Sequence, residues 1–106
     1  MKLRFLVYLF ENEKPYFRGW FIYALPDNPT EGDYQRMREE IIKACEHVIK
    51  KHFKGEFLEI KLLGERYETE KVLIYDYYVR GRRVSVLLRH VGFFGYLLSK
   101  IFPFFG

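Results

Sequence analysis

One cysteine and three histidines are the side chains of this 106-residue chain best equipped for nucleophilic or metal chemistry, and their spacing argues against both. His47 and His52 lie five positions apart. On a helix that separation is about 140° of rotation, so the two imidazoles diverge. Cys45 and His52 share a helical face but stand about two turns apart, too far for one ion. Cys45 with His90 would make a nucleophile and base. Cys45 falls on the apolar stripe of a helix, however, where a thiol serves as a small core residue. Glu39 and Glu40 are adjacent on the same helix and point about 100° apart, a solvated face rather than an acid and base pair. "GRRVS" lacks the glycine and lysine spacing of a phosphate-cradling loop. The chain is therefore expected to hold no catalytic residue, cofactor or metal. Asp76, an isolated acid in an otherwise apolar strand, is expected to pair with Arg89, to be the solvent-side charge of an edge strand, or to mark a partner-contact surface.

What remains is binding chemistry. Arg80, Arg82, Arg83 and Arg89 stand beside Tyr75, Tyr77 and Tyr78, and cations interleaved with aromatics suit phosphates and stacked bases. From Lys71 onward six cations face one carboxylate, a net charge of +5, while the first seventy residues carry −1. The other choice is a protein partner, met by aromatic anchors at Trp20, Tyr77, Tyr78, Phe93 and Phe94, the residue types that dominate interface energetics. "HVGFFGYLL" has a faint likeness to the aromatic strand of RNA-recognition modules, but Val91 replaces the basic residue and two phenylalanines separate the glycines.

The elements that must position these groups follow from pattern. "LRFLVYLF" and "YFRGWFIYAL" are runs of β-formers, apolar on both faces, joined by a polar turn; Gly19 marks a bulge or a close approach. Thr30 with Asp33 resembles a capping box opening a helix from Glu31 to about Phe53, with apolar residues near a 3.6-residue period and Gly55 as its stop. "EFLEIKLL" alternates as a half-buried strand, and "ERYETEK" reads as a charged connection. "VLIYDYYV" and "VSVLLRHV" form a hairpin across "RGRR". With Gly81 and Arg82 in a type II′ turn, Val79 faces Val84, Tyr77 faces Val86 and Tyr75 faces Leu88. The expectation is a single α+β domain, 1–106, of ββαβββ order: a mostly antiparallel sheet with one long helix on a face. The apolar segment "GFFGYLLSKIFPFFG" is expected on the other face, in its own chain or across a homodimer, or docked on a membrane surface or a foreign protein.

Composition limits the setting. Hydrophobic residues at 49% exclude intrinsic disorder. Charged residues reach 30%, yet only Gln35, two Asn, two Ser and two Thr are uncharged polar. High temperature favours that substitution. A lone cysteine permits no internal disulfide, and the start shows no secretory signal, so a cytoplasmic location is expected. The terminal apolar run is about 15 residues, short of the ~20 a membrane-spanning helix needs.

The Tyr-rich hairpin "YDYYVRGRRVSVLLRH", in a short α+β chain of thermophilic composition, is similar to small proteins of hyperthermophilic archaeal viruses, notably the anti-CRISPR proteins of rod-shaped viruses. That resemblance implies a non-enzymatic, dimeric module that binds a host effector protein. The alternative is a basic nucleic-acid-binding protein such as a transcriptional regulator.

Overall fold

The computed structural model describes residues 1–54, 58–69 and 71–91. The elements run β1 (Lys2–Glu11), β2 (Lys14–Ala24), α1 (Glu31–Phe53), β3 (Ile60–Thr69), β4 (Val72–Val79) and β5 (Arg82–Val91). All pairings are antiparallel, in the order β2-β1-β5-β4-β3, so this is an α+β fold with the expected ββαβββ sequence of elements. The apolar run 92–106, expected on the second face, and the helix stop at Gly55 lie outside the described residues.

Alternation decides which side of each strand is buried. Leu3, Phe5, Val7 and Leu9 of β1, Leu73, Tyr75, Tyr77 and Val79 of β4, and Val84, Val86 and Leu88 of β5 all turn to one face. There they meet the α1 stripe Met37, Ile41, Cys45 and Ile49, whose four-residue spacing keeps it on one side of the helix. Full burial of each such side chain contributes about 1.5–3 kcal/mol, which makes this the stabilising layer. The α1 start is the expected capping box. The Asp33 amide donates to Thr30 Oγ1 at 3.2 Å. The Thr30 amide donates in return to Asp33 Oδ2 at 2.8 Å. Lys54, at φ 52°, takes the left-handed cap position, and its N–H bonds the Lys50 carbonyl.

The β1–β2 and β4–β5 hairpins are two-residue turns with positive φ at both centres, Asn12 and Glu13 (52°, 66°) and Arg80 and Gly81 (51°, 76°). That is the type I′ geometry, whose twist matches the flanking strands. The expected type II′ turn at Gly81 and Arg82 is therefore one position late. Moving a two-residue loop by one position shifts the register by two, so Val79 pairs with Arg82, Tyr77 with Val84 and Tyr75 with Val86. An even shift leaves every side chain on its expected face.

Two further corrections concern the edges. Most of "ERYETEK" is strand and not a connection, because β3 runs through Gly64 to Thr69, and it begins at Ile60, with Leu58 and Glu59 outside it. On β2 the expected bulge is present: Val7 pairs with Gly19 (φ 108°) and Tyr8 with Phe17, leaving Arg18 as the extra residue. Such a bulge reverses the alternation. Tyr16 thus joins Phe21 and Tyr23 towards the helix, and Phe17 joins Trp20 and Ile22 on the far side.

Candidate binding face of the sheet

Among the described residues α1 covers one face of the sheet, and the register defines what the opposite face carries. Across the β2 side, Ile22, Trp20 and Phe17 stand opposite Arg4, Leu6 and Tyr8. On the other flank of β1, Arg4, Leu6, Tyr8 and Phe10 oppose Val91, Arg89, Leu87 and Ser85 of β5. The row continues over Val72, Ile74, Asp76 and Tyr78 of β4 to Thr69, Arg66, Gly64 and Lys61 of β3. Phe17, Trp20, Ile22 and Tyr78 are 51, 57, 55 and 47% exposed. Tyr8 and Phe17 pack edge to face with ring centres 5.5 Å apart, a favoured aromatic geometry. With Phe10 and Trp20 they form one platform of four aromatic side chains on β1 and β2.

The charges of this face are one-sided. The residues that the register sets there include six cations, Lys2, Arg4, Lys61, Arg66, Arg83 and Arg89, and one carboxylate, Asp76. Asp76 is 8% exposed and already satisfied: Arg66 Nε donates to Oδ2 at 2.9 Å and Ser85 Oγ donates to Oδ1 at 2.6 Å. Burial pushes its pKa up, but the Arg66 and Ser85 bonds outweigh that and hold it below the ordinary carboxylate value. The expected Arg89 partner is displaced by the two-residue register shift, which sets Arg89 opposite Val72 and lets Arg66 reach the carboxylate from β3. Of the six cations Arg66 alone has a carboxylate within ion-pair distance among the described residues. On the helix side, by contrast, Arg38 pairs with Glu65, Lys43 with Glu40, Arg36 with Asp33 and Arg82 with Glu11.

A cleft of about 840 Å³ lies at the turn end of this face, with Phe10, Ile74 and Leu87 against Arg66 and Arg83; Glu13 and Glu68 also line it. A second hollow of about 440 Å³ shares Phe10 and Leu87 and extends towards Lys71 and Arg89. Together they form a trough along β5.

The sequence-predicted residues separate accordingly. Trp20 and Tyr78 are on the open face. Tyr77 is fully buried beneath the helix, because neighbours in a strand point to opposite faces, so it is a core residue and not a partner contact. Phe93 and Phe94 lie outside the described residues. Arg83 and Arg89 share the open face; Arg82 points the other way to Glu11 Oε1 at 2.9 Å, and Arg80 sits in the turn. Phe17, Ile22, Arg4 and Arg66 were missed. The bulge at Gly19 was the available signal for Phe17, whereas Arg4 and Arg66 required the sheet order.

Cys45 and His90 are both buried, at 1 and 3% exposure. Burial pushes the Cys45 thiol far up from its ordinary value. Burial, with Lys71 second, pushes His90 down, favouring the neutral ring that packs against Phe5 at 5.3 Å. Among the described residues no three His, Cys, Asp or Glu side chains are grouped to hold a metal ion, and no helix is long and apolar enough to cross a membrane. No family model, curated protein or solved structure matches this chain.

Proposed function

We propose that this chain is a non-catalytic binding module that receives a macromolecular partner on the open face of its sheet. The observation that carries the reading is the row of Phe17, Trp20 and Ile22 along β2, all about half exposed on that one face, with Tyr78 of β4 half exposed elsewhere on it. Apolar area in water is unfavourable by about 25 cal/mol per Å², so a clustered patch of this kind gains by being covered. Trp, Tyr and Arg are also the side chains from which interfaces draw most of their energy. The nucleophilic and acid–base groups support the non-catalytic part: Cys45 and His90 are enclosed, and both Asp76 oxygens are engaged. The sequence favoured a protein partner and a homodimer. Like charges at Arg4, Arg83 and Arg89 weigh against pairing two copies of this face.

Trp20 is the one tryptophan of the chain, so its fluorescence reports on the face directly. Acrylamide quenching of the full chain, with the mass measured by light scattering, is expected to find Trp20 accessible in a monomer. A monomer with Trp20 protected would mean that the chain covers its own face. A dimer with Trp20 protected would mean that a second copy occupies it. Either result would overturn the reading.

A further inference from the structure

We infer that the partner of the open face is a single-stranded nucleic acid, its bases stacked on the β1–β2 rings and its phosphates following the cations of β5 and β3. This inference rests on the open-face reading above and adds the chemistry of what binds there.

Charge complementarity carries it first. Six cations against one satisfied carboxylate give the residues set on this face by the register a net charge of +5, and five of those cations have no ion-pair partner among the described residues. The balance stays positive when Glu13 and Glu68, at the cleft, are added. A polyanion that neutralises these cations releases its condensed counterions, which is the main source of sequence-independent affinity for nucleic acids. The arrangement carries it second. Tyr8, Phe10, Phe17 and Trp20 lie on neighbouring strands, and the cations border them instead of mixing with them. Arg89 is opposite Leu6, and Arg83 stands two residues beyond Ser85, the partner of Phe10. The two arginines bracket a stretch of β5 about 20 Å long. Arg66 reaches the middle of that stretch from β3, opposite Ile74, and the trough joins all three. A base platform beside a cationic track is what an unpaired strand requires. A duplex keeps its bases stacked on each other and has no use for the exposed rings. An acidic protein would also answer the charge, and competition by polyglutamate distinguishes it from a nucleic acid.

The test is fluorescence anisotropy of the full chain with fluorescein-labelled oligo(U) and oligo(dT) of about 15 nucleotides, near the upper site size of one small domain. A duplex of the same length and polyglutamate serve as competitors. Both single strands are expected to bind at low salt, to quench Trp20, and to be displaced by neither competitor at equal charge. A preference for oligo(U) would assign RNA, and for oligo(dT), DNA. The double substitution Arg83→Ser with Arg89→Ser should lower the slope of log K against log salt by about 0.7 per cation removed. Trp20→Ala should weaken binding about fivefold or more with the slope unchanged, and Trp20→Phe should restore most of it. Arg36→Ser, on the helix side, should change nothing. Circular dichroism of each variant separates lost binding from lost folding.

No anisotropy change at low salt, with Trp20 accessible to acrylamide, would overturn the nucleic-acid inference and leave the open-face reading standing. Polyglutamate competing as well as the oligonucleotide would assign the face to an acidic protein instead. Trp20 protected from acrylamide in the unbound chain would remove the open-face reading itself.

Discussion

His52 Nε2 lies 2.9 Å from Glu11 Oε2, tying the last turn of α1 to the first hairpin. Arg18 Nη2 stands 2.8 Å from the other ring nitrogen, Nδ1. A guanidinium can only donate. The ring therefore accepts at Nδ1 and carries its proton on Nε2, donating to Glu11. Tyr16 and Phe53 hold the imidazole edge-on, each with ring centres 4.9 Å away. The far oxygen of Glu11 takes Arg82. His52→Ala breaks the link between helix and sheet and is expected to cost about 1–3 kcal/mol, read as a lower urea midpoint with an unchanged m-value.

The same carboxylate contributes to acid sensitivity. The His52 hydrogen bond, ahead of Arg82 and against the opposing effect of burial, holds the Glu11 pKa below its ordinary value. Asp76 is also lowered, through Arg66 and Ser85 acting against its burial. A lowered folded-state pKa gives stability that is complete above the unfolded-state value and is lost as pH falls through the folded one. Stability should therefore decline below about pH 5, and the Glu11→Gln, Asp76→Asn double variant should be less stable at neutral pH with a shallower acid decline. Chemical denaturation at a series of pH values checks both.

The turns leave stability unused. Glu13 and Arg80 occupy left-handed positions, at φ 66° and 51°. Such positions cost a side-chain-bearing residue about 1–2 kcal/mol. Glu13→Gly and Arg80→Asn suit type I′ geometry better and should each raise Tm by a few degrees, about 4–8 °C per kcal/mol gained in a domain near this size. The gain should appear in calorimetry without any change in the exposure of Trp20.

Cys45 is sealed between α1 and the sheet, beside Tyr77. Thiol labelling in native buffer should follow global unfolding, and Cys45→Ala should cost stability without affecting ligand binding. Rapid labelling of the folded protein would contradict this packing.

Local signals in the sequence were legible where they acted within one element. Thr30 and Asp33 announce α1, and the spacing of Met37, Ile41 and Cys45 identifies its buried stripe. The faces of β4 and β5 were also readable, although their register was not: nothing about arginine marks Arg80 as a left-handed turn residue. The extent of β3 was hidden for a different reason. Glu65 and Arg66 look like connection residues until Arg38 and Asp76 are seen to meet them across 27 and 10 positions of chain. The candidate site was the least legible part. Its cations come from β1, β3 and β5, which become one surface only through the sheet order, and Phe17 joins it only because the Gly19 bulge reverses the alternation.

Trp20 stands open to solvent on a face lined with cations and aromatic rings, and charged quenchers test this most directly. Iodide and caesium would be compared on the full chain at low and high salt. The account predicts strong quenching by iodide, weaker quenching by caesium, and a difference that shrinks with added salt and in the Arg4→Ser, Arg89→Ser double variant. Weak quenching by both ions, or caesium quenching the more strongly, would contradict it.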